Sequence, residues 1–209
     1  MMTNSDLHLN KIRDYLVEKY APEAILLHGS RLRDDAPDTS DYDIVMIGSN
    51  TENVYPHEYE SMMLDIDAQP LSTNLLETGS KVPIWPLKIL YDVNRIGEKI
   101  YQETEHAYKN GPTPLSDQEW SNRSNYTKRL IDKIKARGDD VSVRHYYLAV
   151  FYMRVIRYWF EKKNKWTVSP YRAFPIIQTE DIDFFVELQN LWTDSYLSAI
   201  HKINKALFD

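Results

Sequence analysis

Two aspartates flanking one tyrosine, Asp41-Tyr42-Asp43, open an apolar run that continues Ile44-Val45-Met46-Ile47. Successive side chains of a strand point to opposite faces, so both carboxylates would project from one face while Tyr42, Ile44 and Met46 supply the other. Carboxylates set side by side suit a hard cation such as Mg²⁺, which takes oxygen ligands and which phosphoryl-transfer chemistry holds against phosphates. Ten residues separate Asp41 from Gly29-Ser30, which ends the run Leu26-Leu27-His28. A glycine there lets a phosphate approach the backbone, and the serine hydroxyl with the following N–H groups can bind it. The whole chain has only six glycines, so one at this point is informative.

A third acidic stretch follows, Met62-Met63-Leu64-Asp65-Ile66-Asp67-Ala68. Carboxylates inside an apolar strand are costly unless a cation or hydrogen bonds compensate. Asp65 and Asp67 share a strand face and are the same in type. Leu64 and Ile66 flank Asp65, whereas Asp67 stands near Gln69 and Pro70, where a strand end tolerates a solvated carboxylate.

This order of strand, Gly-Ser, polar loop, Asp-x-Asp strand and later acid resembles the nucleotidyltransferase superfamily that includes DNA polymerase beta and the aminoglycoside nucleotidyltransferases. The resemblance implies that Gly29 and Ser30 hold the triphosphate and that Asp41 and Asp43 bind two Mg²⁺ ions. Leu64-Asp65-Ile66 matches the family's hydrophobic-acid-hydrophobic pattern, which makes Asp65 the third acid. Small members often continue the Gly-Ser with a basic residue, a small one and Arg-Gly. Here Arg33 matches, as a further nucleotide-binding residue, and Asp34 replaces the glycine. The motifs run from Leu26 to Asp67.

The elements that must position these residues follow from periodicity. Leu9, Ile12, Leu16 and Tyr20 predict a helix that Asn4 or Ser5 can cap. Ala24–His28 predicts a buried strand, followed by the Asp-x-Asp strand to Ile47, the third-acid strand, a short helix over 70–77, a strand over Lys88–Asp92 and a helix over 94–108. Such an order suits a mixed sheet packed by helices, an α+β domain. Gly111-Pro112-Thr113-Pro114 cannot continue a helix, which predicts a catalytic domain over 1–112 and a helical bundle over 113–209. Ser116-Asp117-Gln118-Glu119 has capping-box form and predicts a helix to Arg137. Ser142 is expected to cap a central helix to Lys163, apolar around most of its circumference and hence buried. A loop over 164–175 and helices over 180–191 and 194–207 complete a four-helix partner. This partner, with Lys165-Trp166-Thr167-Val168-Ser169-Pro170, is similar to the helical domain of kanamycin-type nucleotidyltransferases, which implies that it forms one wall of the acceptor pocket.

Composition narrows the function classes. Hydrophobic residues make up 43% and charged residues 27% of the 209 residues, ordinary for a globular protein, and no apolar run approaches the length that spans a bilayer. Cysteine is absent, which excludes disulfides and thiolate metal sites. The start lacks the features of a signal peptide, so a cytoplasmic location is the expectation. Residues 1–112 carry 10 Lys and Arg against 19 Asp and Glu, and residues 113–209 carry 15 against 12. An acidic catalytic half suits metals and cationic substrates better than a nucleic-acid backbone.

The expected activity is therefore Mg²⁺-dependent transfer of a nucleoside monophosphate, from an NTP with ATP the first choice, to a hydroxyl of a small molecule. An aminoglycoside-like acceptor suits the charge, neither nucleic acid nor membrane is expected as a partner, and a homodimer is allowed for. The alternative is an antitoxin-like protein that modifies or binds a protein partner. The Arg…His signature of the matching toxins is not met by Arg137 and His145, which stand too far apart. His28, the many tyrosines, and Arg144, Arg154 and Arg157 are explained equally well as structural and are not assigned to the site.

Overall fold

Two almost wholly buried runs, Ala24–His28 and Tyr42–Ile47, and one of alternating burial, Met62–Gln69, build the sheet. In the computed structural model, which describes residues 4–33, 36–49, 54–71, 85–137 and 139–209, the strands are β1 (Ala24–His28), β2 (Tyr42–Ile47), β3 (His57–Tyr59), β4 (Met62–Gln69) and β5 (Lys88–Asp92). Their order across the sheet is β3-β4-β2-β1-β5. β2 runs antiparallel to β1 but parallel to β4, and β3 and β5 add antiparallel edges. The sheet is thus mixed, as the element order predicts. The short β3 has too few residues for a period to show in sequence. The segment over 70–77 falls largely outside the described residues.

Each sheet face has its own core. Ile25, Leu27, Tyr42, Ile44, Met46, Leu64 and Ile66 pack with Leu9, Ile12 and Leu16 of α1 (Asn4–Tyr20). Ala24, Leu26, Val45 and Ile47 lie on the opposite face, with Ile96, Ile100 and Tyr101 of α2 (Ile96–Asn110). α2 starts two residues later than expected because Asp92, at the end of β5, takes the first free N–H groups. Gly97 donates to its Oδ1 at 2.8 Å and Glu98 to its Oδ2 at 2.9 Å.

The chain divides into two compact units, Met1–Asn110 and Gly111–Asp209. The second contains α3 (Asp117–Ala136), α4 (Val141–Lys162), α5 (Pro170–Glu180), α6 (Ile182–Asn190) and α7 (Tyr196–Phe208). There are therefore five helices here among the described residues, not four. Pro170 and Pro175 read as a loop in sequence, yet Pro170 occupies the first turn of α5, where its missing N–H costs nothing, and Pro175 removes a single ladder bond. The capping box forms on Ser116 and Glu119 as expected. α4 is capped by Asp140 rather than Ser142, through the Val143 N–H. Asp181 accepts from the Phe184 N–H to cap α6 and from the indole of buried Trp159 at 2.9 Å, tying α4 to the turn between α5 and α6. No helix of the described residues is long and apolar enough to cross a membrane.

The expectation that α4, apolar around most of its circumference, is buried is corrected for one of its faces. Phe151, Val155, Trp159 and Phe160 are in the core, but Tyr146 is 64% and Met153 54% exposed. With Arg154, Arg157 and Tyr126 they line an open groove of about 760 Å³ along α3 and α4. Two of its lining residues are held by Glu161, which accepts from Arg123 at 2.6 Å and from Arg157 at 2.8 Å and whose side chain is only 13% exposed. Replacing Glu161 with Gln leaves the Arg123 guanidinium enclosed without a carboxylate. The expected cost is about 1.5–3 kcal/mol, the range for hydrogen bonds to charged groups. Urea denaturation of the variant checks it, and an unchanged midpoint would show that solvent already screens the pair.

Candidate active site

The register of β2 against its two neighbours gathers the chemistry. β1 places His28 opposite Asp43, and β4 places Asp65 opposite Asp43 on the other side. Alternation along each strand then fixes which face they share. Tyr42 and Leu64 point into the α1-covered core, so Asp43 and Asp65 point away from it. Asp41 lies one residue before β2. One carboxylate oxygen from each of Asp41, Asp43 and Asp65 lies within 4.8 Å of the other two. Asp67 pairs with Val45, two residues further along the strand, and accepts instead from the Gln69 amide.

The backbone at Gly29 closes the site. Its φ of 78° and ψ of −149° fall in a region that only glycine occupies readily. A Cβ at this position would lie 1.9 Å from Oδ2 of Asp43. The glycine thus lets the turn after β1 pass directly against the Asp43 carboxylate. Ser30 follows, and its backbone N–H donates to that same carboxylate. Arg33 ends the single 3₁₀ turn Ser30–Leu32, its N–H donating to the Ser30 carbonyl at 2.9 Å. Asp34 lies outside the described residues.

Electrostatics mark the cluster as one that wants a cation. Burial pushes the Asp43 carboxyl above its ordinary value; His28 opposes this, Asp41 and Asp65 add to it, and the Ser30 N–H opposes it. Burial pulls the His28 imidazole below its ordinary value even though Asp43, Asp67 and Asp65 all act to raise it. A neutral imidazole does not balance three clustered carboxylates. The donor set is all oxygen, close-set and acidic, which fits a divalent hard cation such as Mg²⁺ or Mn²⁺. Asp41, Asp43 and Asp65 are the residues that would hold it.

A family model described as polymerase beta, nucleotidyltransferase, matches residues 10–106, the span from α1 through α2 that contains every one of these groups. Residues 10–106 are a nucleotidyltransferase domain. Among solved structures, the nucleotidyltransferase-like protein from Exiguobacterium sibiricum 255-15 shares the fold, with a TM-score of 0.53, 11% identity and coverage of 95% of this chain and 75% of that one. None of the curated proteins matches the sequence. The Gly-Ser turn, the Asp-x-Asp strand and Asp65 all lie inside this nucleotidyltransferase domain.

Two outcomes follow from this geometry. Gly29→Ala should cost about 1–3 kcal/mol of stability from its backbone conformation alone, with the clash added, and should displace Asp43 from the cluster. Thermal denaturation with and without Mg²⁺ measures both effects, and a variant that melts like wild type would show that the turn is free to move. The second outcome concerns Asp43. Its raised carboxyl binds a proton more tightly in the folded state than in the unfolded state. The metal-free protein therefore has that stability in full below the ordinary value of 3.8 and loses it as pH rises through the raised value. Asp43→Asn should remove this pH-dependent loss and leave the metal-free protein at neutral pH at least as stable as wild type. The same variant should lose the rise in melting temperature that Mg²⁺ gives wild type. Equal Mg²⁺ shifts in both proteins would place the ion elsewhere.

Proposed function

We propose that this chain transfers a nucleoside monophosphate from an NTP, with ATP the first candidate, to a hydroxyl of a small molecule, releasing pyrophosphate. The observation that carries the reading is the convergence of Asp41, Asp43 and Asp65 beside the Gly29-Ser30 turn within a nucleotidyltransferase domain. When bound, two Mg²⁺ ions would neutralise charge on the triphosphate and on the leaving pyrophosphate. The residues themselves do the rest. Gly29 leaves room at the turn, and the Ser30 hydroxyl with the neighbouring N–H groups holds the phosphates in line. Asp41 and Asp43 fix the triphosphate end of the site. Asp65 sits on the acceptor side, where its carboxylate helps to take the proton from the attacking hydroxyl. Arg33 would meet the phosphates from the end of the turn. Catalysis of this kind is mostly positioning and electrostatic stabilisation.

A small-molecule acceptor is favoured over a nucleic acid by the charge of residues 1–112, 10 basic against 19 acidic, which repels a phosphate backbone. The same charge favours a cationic acceptor such as an aminoglycoside. Incubation of the purified chain with Mg²⁺, each labelled NTP and a panel of hydroxylated compounds, read by mass spectrometry, tests the proposal. A nucleoside monophosphate added to a small molecule is the expected result. A gain on a protein would support the antitoxin-like alternative, and no gain on any acceptor would remove the enzymatic reading.

The third acid gives the sharpest internal test. Asp65→Ala should reduce transfer by at least about 10²–10⁴-fold, the range for losing proton-transfer assistance. Asp67→Ala should cost distinctly less, since Asp67 faces Val45 rather than Asp43. The reverse order of effects would move the site two residues along β4.

A further inference from the structure

Arg31 lies between the two halves of the site in sequence, immediately after Ser30 and ten positions before Asp41. Its guanidinium reaches across that gap. Nε donates to the Ser40 carbonyl at 3.0 Å, and Nη2 donates to the Asp38 carbonyl at 2.8 Å and to that of Ser40 as well. The guanidinium also rests on the Tyr42 ring, 4.5 Å from its centre. Ser40 and Tyr42 are the two chain neighbours of Asp41, so one side chain grips the backbone before this carboxylate and the ring after it.

Asp41 needs such a grip. It precedes β2 by one residue, so the strand ladder that fixes Asp43 and Asp65 stops short of it. The loop before it is polar, and among its described residues Ala36 donates to the Arg33 carbonyl at 3.4 Å and Ser40 to the Pro37 carbonyl at 2.9 Å, both bonds local to the loop. Tyr42 is 3% exposed and held in the core, which makes its ring a fixed platform. A planar guanidinium stacked on a ring keeps its in-plane N–H groups free to donate, and this is how Arg31 bridges two carbonyls and the ring at once.

We propose that Arg31 is the positioning residue of the carboxylate site, holding Asp41 at ligand distance from Asp43 and Asp65 by clamping the loop over 38–40 to the Gly29-Ser30 turn. The proposal rests on reading the three aspartates as a metal centre. Because Arg31 belongs to the turn that would receive the triphosphate and grips the loop that carries a metal ligand, the two move as one body. A displaced phosphate turn then displaces Asp41.

Mn²⁺ binding to the full chain without nucleotide, followed by electron paramagnetic resonance, tests the clamp in Arg31→Gln and Arg31→Lys, with Asp43→Asn as the control. Arg31→Lys keeps the stem and the charge but not the fork, so it remains informative should Arg31→Gln fail to fold. Both Arg31 variants should bind Mn²⁺ about 10–100-fold more weakly, the range for residues that orient metal ligands. Their melting temperatures in the absence of metal should stay close to wild type, and amide exchange should accelerate at Ser40–Tyr42. Unchanged Mn²⁺ affinity in both, with binding still abolished by Asp43→Asn, would overturn the clamp and leave the metal centre standing. Equal binding by wild type, both Arg31 variants and Asp43→Asn would overturn the metal centre itself, and the positioning role with it.

Discussion

The site depends on the register of β2. This strand is antiparallel to β1 on one side and parallel to β4 on the other, and both pairings meet at Asp43. A slip of one residue in either pairing would send the partner side chains to the opposite face, exchanging carboxylates for core residues. The register is held because the alternate positions Tyr42, Ile44 and Met46 are buried with Leu64 and Ile66 against α1. The hydrophobic core on one face thus enforces the acidic row on the other. Gly29 completes the arrangement from β1, since any side chain there would occupy the space of the Asp43 carboxylate.

The same row costs stability. Asp43 is partly withdrawn from water beside Asp41 and Asp65, and burial is the main reason its carboxyl resists ionisation. The Ser30 N–H opposes this through a hydrogen bond, and His28 does so only when its imidazole is protonated, a form that burial disfavours. Sites that destabilise the fold in this way persist where function requires them, because a ligand then supplies the missing interaction. A divalent cation among three carboxylates does so directly. The surrounding residues 1–112 carry the same acidic excess, 10 basic against 19 acidic, which adds to the negative field at the cluster.

Much of this was legible from residue types and spacing. Strand alternation put Asp41 and Asp43 on one face, and the apolar neighbours of Asp65 singled it out from Asp67. What sequence could not supply was pairing. The reason Asp65 rather than Asp67 stands at the cluster is its place opposite Asp43 in a parallel ladder, and a single chain of letters carries no cross-strand register. Arg31 stands where the resembled pattern has a basic residue, but its grip on the loop was not legible, because its donors go to backbone carbonyls that have no side-chain signature. In the helical unit the signals misled in two places. Pro170 and Pro175 suggested a loop where α5 forms, and the apolar residues around most of α4 suggested a buried helix where Tyr146 and Met153 line an open groove. Proline in a first turn and aromatics on a groove wall follow ordinary rules, but those rules need the neighbouring helix to be known.

The central claim is that Asp41, Asp43 and Asp65 hold a catalytic divalent cation. Anomalous diffraction from crystals grown with Mn²⁺ and a non-hydrolysable NTP analogue measures this most directly. The account predicts anomalous density bounded by these three carboxylates, with the analogue's phosphates against the Gly29-Ser30 turn. Density bounded by Asp67 with Asp65 turned away, or no Mn²⁺ at the cluster while the analogue is bound elsewhere, would contradict it.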